Sequence, residues 1–211
     1  VYLPAQNVPI NLMDDKNYKF NSNVPGQPGS GTGWNTGFML NVAPPKSKPF
    51  GRLIAWDPVQ QKEVWHQEHV SPWNGGTLTT AGNLVFQGTA DGRFVAYNAQ
   101  NGEKLWESPT GTGVIAAPST YMVDGKQYVS IAVGWGGAYG VSQRASEKQG
   151  PGTVYTFAVG GKAAMPDFVA YKLGGLVAGV KYDPAHYEAG TMLYISNCVL
   201  CHGVPGVDRG G

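Results

Sequence analysis

The stretch Gly92-Arg93-Phe94-Val95-Ala96-Tyr97-Asn98, which closes at Trp106, decides the fold because an earlier stretch repeats it. Gly51-Arg52-Leu53-Ile54-Ala55-Trp56-Asp57 closes at Trp65, 41 positions before the second copy. A period near 40 residues, with a strand led by glycine, a polar turn and a closing tryptophan, is typical of a four-stranded propeller blade. One small sheet cannot bury both faces, so neighbouring blades stack. We therefore assign both tryptophans to docking between blades.

Other strands flank the second copy and extend the all-β pattern. They are predicted at residues 84–88, 94–97, 128–133 and 154–159, with a tight turn at 90–92. Residues 11–50 show no regular period and contain many prolines and glycines, which we interpret as a long excursion that shapes a cleft. Two full blades and portions of others can be counted. Because a closed propeller needs at least four, we expect this chain to be a piece of a longer protein.

Composition limits the partners of the chain. The formal net charge of the 211 residues is +1 and charged residues make up 14%, below the roughly 25% of ordinary globular proteins. Nucleic acid is not expected as a partner, since it requires a basic stripe. No apolar run approaches the about 20 residues of a membrane span, so we expect any membrane association to be peripheral or through a partner.

Near the end of the chain stands Cys198-Val199-Leu200-Cys201-His202, which contains both cysteines of the sequence. This is the pattern of a haem c attachment site, in which two thiols form thioethers and the histidine is the proximal iron ligand. A disulfide here would close a tiny loop and stabilise little. A zinc site needs four ligands, and a thioredoxin-like dithiol needs a βαβ pattern that is absent from the surrounding sequence.

A helix is predicted immediately before this motif. Asp183 is placed to act as its N-cap and Pro184 to occupy its first position, and the helix is expected to run through Tyr194. Residues 160–182, rich in glycine and alanine with few charges, suit a linker that lies over a surface. Residues 183–211 then correspond to the beginning of a cytochrome c domain, because only nine residues follow the motif.

Four features together carry a family resemblance: the 41-residue repeat, the run from Pro72 to Asn83, the run from Gly134 to Gly140, and the haem motif. The chain resembles the C-terminal part of a quinohaemoprotein alcohol dehydrogenase. The resemblance implies that residues 1–159 are the last blades of an eight-bladed propeller, with pyrroloquinoline quinone (PQQ) and Ca²⁺ at its axis. The repeat departs from the family pattern at Gln61, where glycine is expected.

The resemblance also implies roles for individual residues at the axis. Asn7, Trp73 and Asn74, with Gly137 and Ala138, match positions around the quinone, whose carbonyl and carboxylate oxygens suit amide donors and closely approaching glycine backbone. Alternatives stay open for several of them. Asn7 at a strand end is also a common turn former, Asn74 before two glycines can be a hairpin turn, and Gly134-Trp135-Gly136-Gly137 can be a bulged strand.

No catalytic residue is expected within this chain, because the resemblance places the catalytic Asp and the calcium ligands in an earlier part of the protein. The implied reaction is oxidation of a small alcohol to an aldehyde, with electrons passing from PQQ to haem c. The final acceptor is expected to be a cytochrome, a copper protein or ubiquinone, with a peripheral membrane complex left open. Haem c implies a periplasmic location. The alternative function is a haem-bearing electron-transfer or scaffold protein whose propeller binds no quinone.

Several side chains are expected to lie at the surface without a functional role. His66 and His69 follow a predicted strand and are expected to be solvated, and Arg93 is expected to be a surface charge. None of these three residues is expected in the cofactor site.

Overall fold

The computed structural model describes residues 1–9, 12–14, 16, 38–40, 49–135, 150–168 and 183–198. The chain forms two compact units, one made of Val1–Asn7 with Phe50–Gly211 and the other of Val8–Pro49. In the second unit, β2 (Leu12–Asp14) and β3 (Phe38–Leu40) pair antiparallel. This unit coincides with the stretch that showed no regular period.

The first unit contains three antiparallel sheets, in the orders β1-β4-β5, β6-β7-β8-β9 and β10-β11-β12. Their strands are β1 (Tyr2–Asn7), β4 (Phe50–Asp57), β5 (Lys62–His69), β6 (Thr77–Thr80), β7 (Leu84–Thr89), β8 (Arg93–Asn98), β9 (Lys104–Pro109), β10 (Ser119–Val123), β11 (Lys126–Val133) and β12 (Thr153–Ala158). The all-β prediction is confirmed. Within the described residues of this unit one sheet has four strands and two have three, so the count of two full blades stays a prediction.

The sequence repeat is also a structural repeat. The hairpins β4–β5 and β8–β9 carry the same irregularity, a register shift between Ala55 and Trp56 in one and between Ala96 and Tyr97 in the other. Gln61 has φ of 51°, and Gly102, its equivalent in the second copy, has φ of 75°. The departure from the family pattern at Gln61 therefore leaves the left-handed turn in place, with a residue that adopts it less readily.

The three sheets differ in the length of the chain that joins two of their neighbouring strands. A short turn, Ala90–Gly92, joins β7 to β8. In the first sheet the whole second unit lies in the chain between β1 and β4, and in the third sheet residues 134–152 lie between β11 and β12. The chain between β1 and β4 and the chain between β11 and β12 are therefore much longer than the turn between β7 and β8.

Two apolar clusters hold the three sheets together. Leu53, Val85, Val95 and Tyr97 form the cluster between the first and second sheets. The cluster between the second and third sheets is centred on Phe94 and includes Val114, Val129, Ile131 and Val133. Burial of these side chains supplies the main driving force for stacking the sheets.

Both repeat tryptophans lie at these sheet contacts. The indole Nε1 of Trp65 donates to the carbonyl oxygen of Ala99, which follows β8 of the next sheet, at 3.0 Å. This is an ordinary length for an N–H···O hydrogen bond. Trp106 meets Phe157 of the third sheet edge-on, with ring centroids 5.3 Å apart. The prediction that Trp65 and Trp106 dock blades is confirmed.

The predicted helix start is confirmed in detail. Asp183 accepts a hydrogen bond from Ala185 N at 2.9 Å and caps a 3₁₀ turn, Pro184–His186. Helix α1 follows over Tyr187–Asn197, three residues further than predicted. Within the described ranges, no helix has the length and apolar character required to cross a membrane.

Candidate functional site

The predicted axial residues that the structure describes lie at one end of the first and second sheets. Asn7 is exposed at the end of β1 and pairs with Phe50. Gly51, the next residue after Phe50, lies so close to the Asn74 amide and the Ser71 carbonyl that a Cβ atom would collide with both. Trp73 and Asn74 are half-buried in the connection between β5 and β6. Asn7, Trp73 and Asn74 therefore share this end of the sheets.

Asn74 holds two segments of main chain together. Its Nδ2 donates to the carbonyl oxygen of Ser71 at 2.7 Å, and its Oδ1 accepts from Ala90 N at 3.0 Å. These bonds use the acceptor and one of the two amide protons, which leaves the second N–H of Asn74 for a ligand. The hairpin-turn alternative is wrong, because β5 and β6 belong to different sheets.

Gly75, which follows Asn74, and Gly88 in β7 allow neighbouring segments of the chain to approach each other closely. Gly75 N donates to the carbonyl oxygen of Gly88 at 2.9 Å. A Cβ on Gly75 would lie 2.5 Å from the Ala116 carbonyl oxygen, and one on Gly88 would collide with Val114. The connection from β5 to β6 therefore packs closely against strand β7 and the connection from β9 to β10, at distances that any residue larger than glycine would prevent.

A buried polar pair lies directly behind this glycine segment, and the sequence did not reveal it. His69 is 5% exposed and Gln87 is fully buried. The ring Nε2 of His69 lies 2.9 Å from Gln87 Oε1, and Gln87 Nε2 donates to the Gly75 carbonyl oxygen at 2.9 Å. The expectation that His69 is solvated is wrong, because β5 turns this side chain toward the second sheet. One signal was available: Gln87 interrupts the apolar run of β7.

His66, by contrast, is exposed as expected, 2.5 Å from Glu63 through Nδ1. Residues two and four apart on a strand share a face, whereas residues three apart lie on opposite faces. The strand period therefore separates His66 from His69 and explains why only one of the two is buried.

An ion-pair cluster lies at the turn between β7 and β8. Arg93 donates through Nε to both carboxylate oxygens of Asp91, at 3.1 and 3.0 Å, and its Nη1 lies 3.5 Å from Glu107 Oε2. Thr89 Oγ1 also donates to Asp91, at 2.5 Å. The Arg93 side chain is 33% exposed and therefore lies at the surface as expected, but it is held there by two carboxylate partners.

The electrostatics of this cluster follow from burial and pairing. Burial acts to raise the pKa of the Asp91 carboxyl, but hydrogen bonds from Arg93 and Thr89 outweigh it and hold that pKa below its ordinary value. Burial lowers the pKa of the His69 imidazole. Burial also raises the pKa of the nearby Tyr97 hydroxyl to about 12. Near neutral pH the cluster therefore contains a charged Asp91–Arg93 pair beside a neutral His69.

The remaining predicted residues belong to the haem motif and the glycine-rich run. Cys198 is half-buried, caps the end of α1 and donates its N–H to Tyr194 O at 2.8 Å. Cys201, His202, Gly137 and Ala138 lie outside the described residues. Among the residues that are described, no three His, Cys, Asp or Glu side chains cluster closely enough to hold a metal ion.

An apolar cleft of about 590 Å³ opens at a different place, between the second and third sheets. Phe86, Trp106 and Tyr155 line its walls, and residues 159–166, at the start of the predicted linker, line one side. Its lining, among the residues that the structure describes, contains neither charged side chains nor predicted cofactor residues, so we do not assign the quinone to it.

Comparison with known proteins gives a family for this geometry. Residues 11–129 match the family model described as PQQ, glucose/ethanol/alcohol dehydrogenase, β-propeller domain. The chain belongs to this PQQ dehydrogenase family. The match includes the stretch 11–50 that showed no regular period, so this excursion is part of the family's propeller domain.

Individual relatives in the PQQ dehydrogenase family match along the whole chain. A quinohemoprotein alcohol dehydrogenase of Comamonas testosteroni is 76% identical over 211 residues, which are 100% of this chain and 30% of that relative. A 1-butanol dehydrogenase (cytochrome c) of Thauera butanivorans is 67% identical over 210 residues, with the same two shares. The chain thus spans about 30% of the length of the curated relatives it matches.

A solved structure agrees with the fold. The crystal structure of a quinohemoprotein alcohol dehydrogenase from Comamonas testosteroni superposes with a TM-score of 0.74 at 74% sequence identity. It covers 100% of this chain, which corresponds to 31% of that structure. The β-sheet architecture described above is therefore that of a PQQ propeller portion.

Proposed function

We propose that this chain is the part of a PQQ-dependent alcohol dehydrogenase that lines one side of the quinone site and begins the route of electrons to haem c. The observation that carries the proposal is the 76% identity, along the whole chain, to a quinohemoprotein alcohol dehydrogenase. The geometry adds support, because the amides of Asn7 and Asn74 and the Gly75 backbone lie at one end of the sheets.

The described residues fit a flat, polar cofactor with carbonyl and carboxylate oxygens. Asn74 retains one amide proton beyond its two main-chain bonds, and the Asn7 amide is exposed. Glycines keep the surrounding backbone free of side chains that would keep a planar ring system at a distance. The guanidinium of Arg93 is already paired with Asp91 and Glu107, so we assign the contacts to amides.

When bound, PQQ would supply the oxidising chemistry, since it would take up the hydride of the alcohol's carbinol carbon, which carries two electrons and one proton. The protein side of the site binds, orients and excludes water, since the cofactor itself carries the chemistry. We assign Asn7 and Asn74 to orienting the quinone by amide hydrogen bonds, and Trp73, with Gly137 and Ala138, to the walls of its site. The base that removes the hydroxyl proton and the ligands of Ca²⁺ are expected outside this chain.

The outgoing electrons are assigned to haem c at Cys198, Cys201 and His202. The thiols would hold the porphyrin covalently and the His202 imidazole would bind its iron. Cys198 suits this role in its position, since it follows α1 directly and is a free thiol in the described residues. We further propose that the electrons pass to a cytochrome, a copper protein or ubiquinone as the final acceptor. The protein is proposed to be periplasmic, with a peripheral membrane complex left open.

Reconstitution of quinone-free protein tests the alcohol dehydrogenase function. The protein that carries this chain is purified without PQQ, then assayed for dye reduction with primary alcohols after addition of PQQ and Ca²⁺. We expect activity only when alcohol, PQQ and Ca²⁺ are all present. Dye reduction that is independent of PQQ, or none with any alcohol although PQQ binds, would contradict the proposal and favour the electron-transfer or scaffold alternative.

Asn7→Ala then tests the site. Removal of an exposed amide that orients the quinone is expected to weaken PQQ binding by about ten-fold, the effect of one lost hydrogen bond to a charged ligand. Asn101→Ala is the matched control, because Asn101 is an exposed turn residue whose amide oxygen only accepts from Glu103 N. Equal PQQ affinities of the two variants would remove Asn7 from the site.

A further inference from the structure

His69 and Gln87 form a short, buried chain of hydrogen bonds that ends on the segment carrying Trp73 and Asn74. The chain runs from His69 Nε2 to Gln87 Oε1 at 2.9 Å, and from Gln87 Nε2 to Gly75 O at 2.9 Å. Both side chains are at least nine-tenths buried, with exposures of 5% and 0%. A shift of the His69 ring therefore disturbs the hydrogen bond to the Gly75 peptide, because little water is present to replace the lost contact.

The direction of these bonds fixes the tautomer of His69. Because Gln87 donates its amide N–H to the Gly75 carbonyl, its oxygen faces the imidazole and must accept a proton from Nε2. A neutral ring that carries its proton on Nε2 has a bare lone pair on Nδ1. That Nδ1 atom is buried and has no hydrogen-bond partner in the described part of the chain.

We propose that His69 is a positioning residue of the quinone site: through Gln87 it holds the segment from Trp73 to Gly75, and protonation of its ring releases that segment. The inference rests on the proposed quinone-binding function for its meaning, but its structural part stands on the contacts of His69, Gln87 and Gly75 alone. No group of the haem motif takes part in it.

Protonation is disruptive because the new Nδ1–H would be buried without an acceptor. An unpaired buried donor that belongs to a charged group is among the costliest arrangements in a protein interior. The charged groups that act on the ring are Asp91, which favours the imidazolium, and Arg93, which disfavours it. Glu68, next to His69 on β5, faces the opposite side and pairs with Arg52 at 3.1 Å.

The sign of the pH effect follows. Burial lowers the pKa of His69 from its ordinary value of 6.5, whereas the released ring would titrate near that value. Above pH 6.5 both forms are neutral and the hydrogen-bond chain is intact. As the pH falls below 6.5, the released form binds a proton first, so the segment opens progressively. Asp91 and Arg93 stay ionised throughout this range because the pKa of the first is lowered and that of the second is raised.

Three variants separate positioning from simple stability. His69→Gln retains an amide donor for Gln87 but cannot titrate, so it should preserve the segment and abolish its pH dependence. His69→Phe keeps a ring and loses the donor, so it should loosen the segment at every pH. His66→Gln is the matched control, because His66 lies on the same strand, is exposed and faces away from Gln87.

The first readout is hydrogen exchange of the peptide covering residues 71–76 in quinone-free protein, expressed as protection factors at pH 7.5 and 5.5. We expect protection to fall about ten-fold at the lower pH in the natural protein, the effect of one lost hydrogen bond. His66→Gln should show the same fall, and His69→Gln none. An equal fall in His69→Gln, or no fall in the natural protein, overturns the proposal.

The second readout is PQQ affinity, measured by quenching of tryptophan fluorescence at the same two pH values. Affinity should fall about ten-fold at pH 5.5 in the natural protein and stay constant in His69→Gln, in proportion to the expected loss of protection. Affinity that falls equally in both overturns the link to the quinone site. If PQQ binds to no version at either pH, the proposed function itself fails, while the exchange result still decides whether His69 holds the segment.

Discussion

Asn74 is the residue in which stability and ligand binding are most closely combined. Asn74→Ala removes the acceptor of Ala90 N and the donor to Ser71 O, and should lower the free energy of unfolding by about 1–3 kcal/mol. Asn74→Asp keeps the acceptor and loses the amide protons. Because its second carboxylate oxygen would face the Ser71 carbonyl oxygen, which is also an acceptor, Asn74→Asp should gain little stability over Asn74→Ala. If Asn74 binds the quinone, Asn74→Asp should also bind PQQ at least as weakly as Asn74→Ala, because a carboxylate has no proton to donate.

Thermal unfolding and PQQ titration of the two variants provide the comparison. An Asn74→Asp variant that binds PQQ as tightly as the natural protein would show that Asn74 acts only on the main chain.

Gln61 carries a second prediction at this scale, because it occupies a left-handed turn position at φ 51°. Gln61→Gly should raise the free energy of unfolding by about 0.5 kcal/mol, as relief of the backbone strain slightly exceeds the added entropy of the unfolded chain. The reverse change at the equivalent position, Gly102→Gln, should destabilise, since a Cβ there would lie 2.6 Å from the Trp65 ring. Urea titrations of both variants measure the difference.

The hydrogen bonds within the candidate site had no signal in the sequence. The family resemblance assigned Asn7 and Asn74 to the quinone site, with turns as the alternative, and that role stays a prediction for two residues that lie at one end of the sheets. The bond from Asn74 to Ala90 N and the pair His69–Gln87 join residues 16 and 18 positions apart. Such contacts are set by how two sheets stack, which no local pattern encodes.

Among the elements, the hairpins were predicted closely because their signals are local. Alternating apolar residues, the turn at Ala90–Gly92 and the N-cap at Asp183 all act within a few positions, and the strands and the helix start follow them. The order in which strands pair was not predicted. Pairing of β1 with β4 spans the whole second unit, and a pairing that distant leaves no sequence signature.

The connection between β9 and β10 carries a prediction at the element scale. Gly111, at φ 77°, lies directly beneath the ring of Phe168, so a Cβ there would collide with the ring. Gly125 has a similar φ of 74° but nothing lies within 4 Å of its Cβ position. Gly125→Ala should therefore cost about 1 kcal/mol of backbone strain, and Gly111→Ala clearly more, about 2–3 kcal/mol.

A double-mutant cycle isolates the ring contact from the backbone strain. In a Phe168→Ala background, Gly111→Ala should cost no more than Gly125→Ala, because only the strain remains. An undiminished penalty in that background would mean that Phe168 does not pack on Gly111.

For the whole molecule, the half-buried Asp91–Arg93 pair predicts how the free energy of unfolding depends on acid pH. Hydrogen bonds hold the pKa of Asp91 below its ordinary value of 3.8, so the unfolded chain takes up the proton first and stability falls as the pH drops below 3.8. Asp91→Asn should flatten this acid limb of the unfolding curve. Asp124→Asn, in the exposed β10–β11 turn, is the control and should leave it unchanged.

Measurement of the urea midpoint between pH 3 and pH 7 tests this dependence. A steep acid limb that persists in Asp91→Asn would place the responsible carboxylate elsewhere in the molecule.

The most direct measurement of the central proposal is the absorption spectrum of the haem in the protein that carries this chain, before and after addition of a primary alcohol. Quinone-free protein is compared with protein reconstituted with PQQ and Ca²⁺. We expect the haem bands to shift to the reduced form only when alcohol and PQQ are both present. Haem that is bound but stays oxidised with every alcohol, although PQQ is bound, would contradict electron transfer from the quinone to the haem at Cys198, Cys201 and His202.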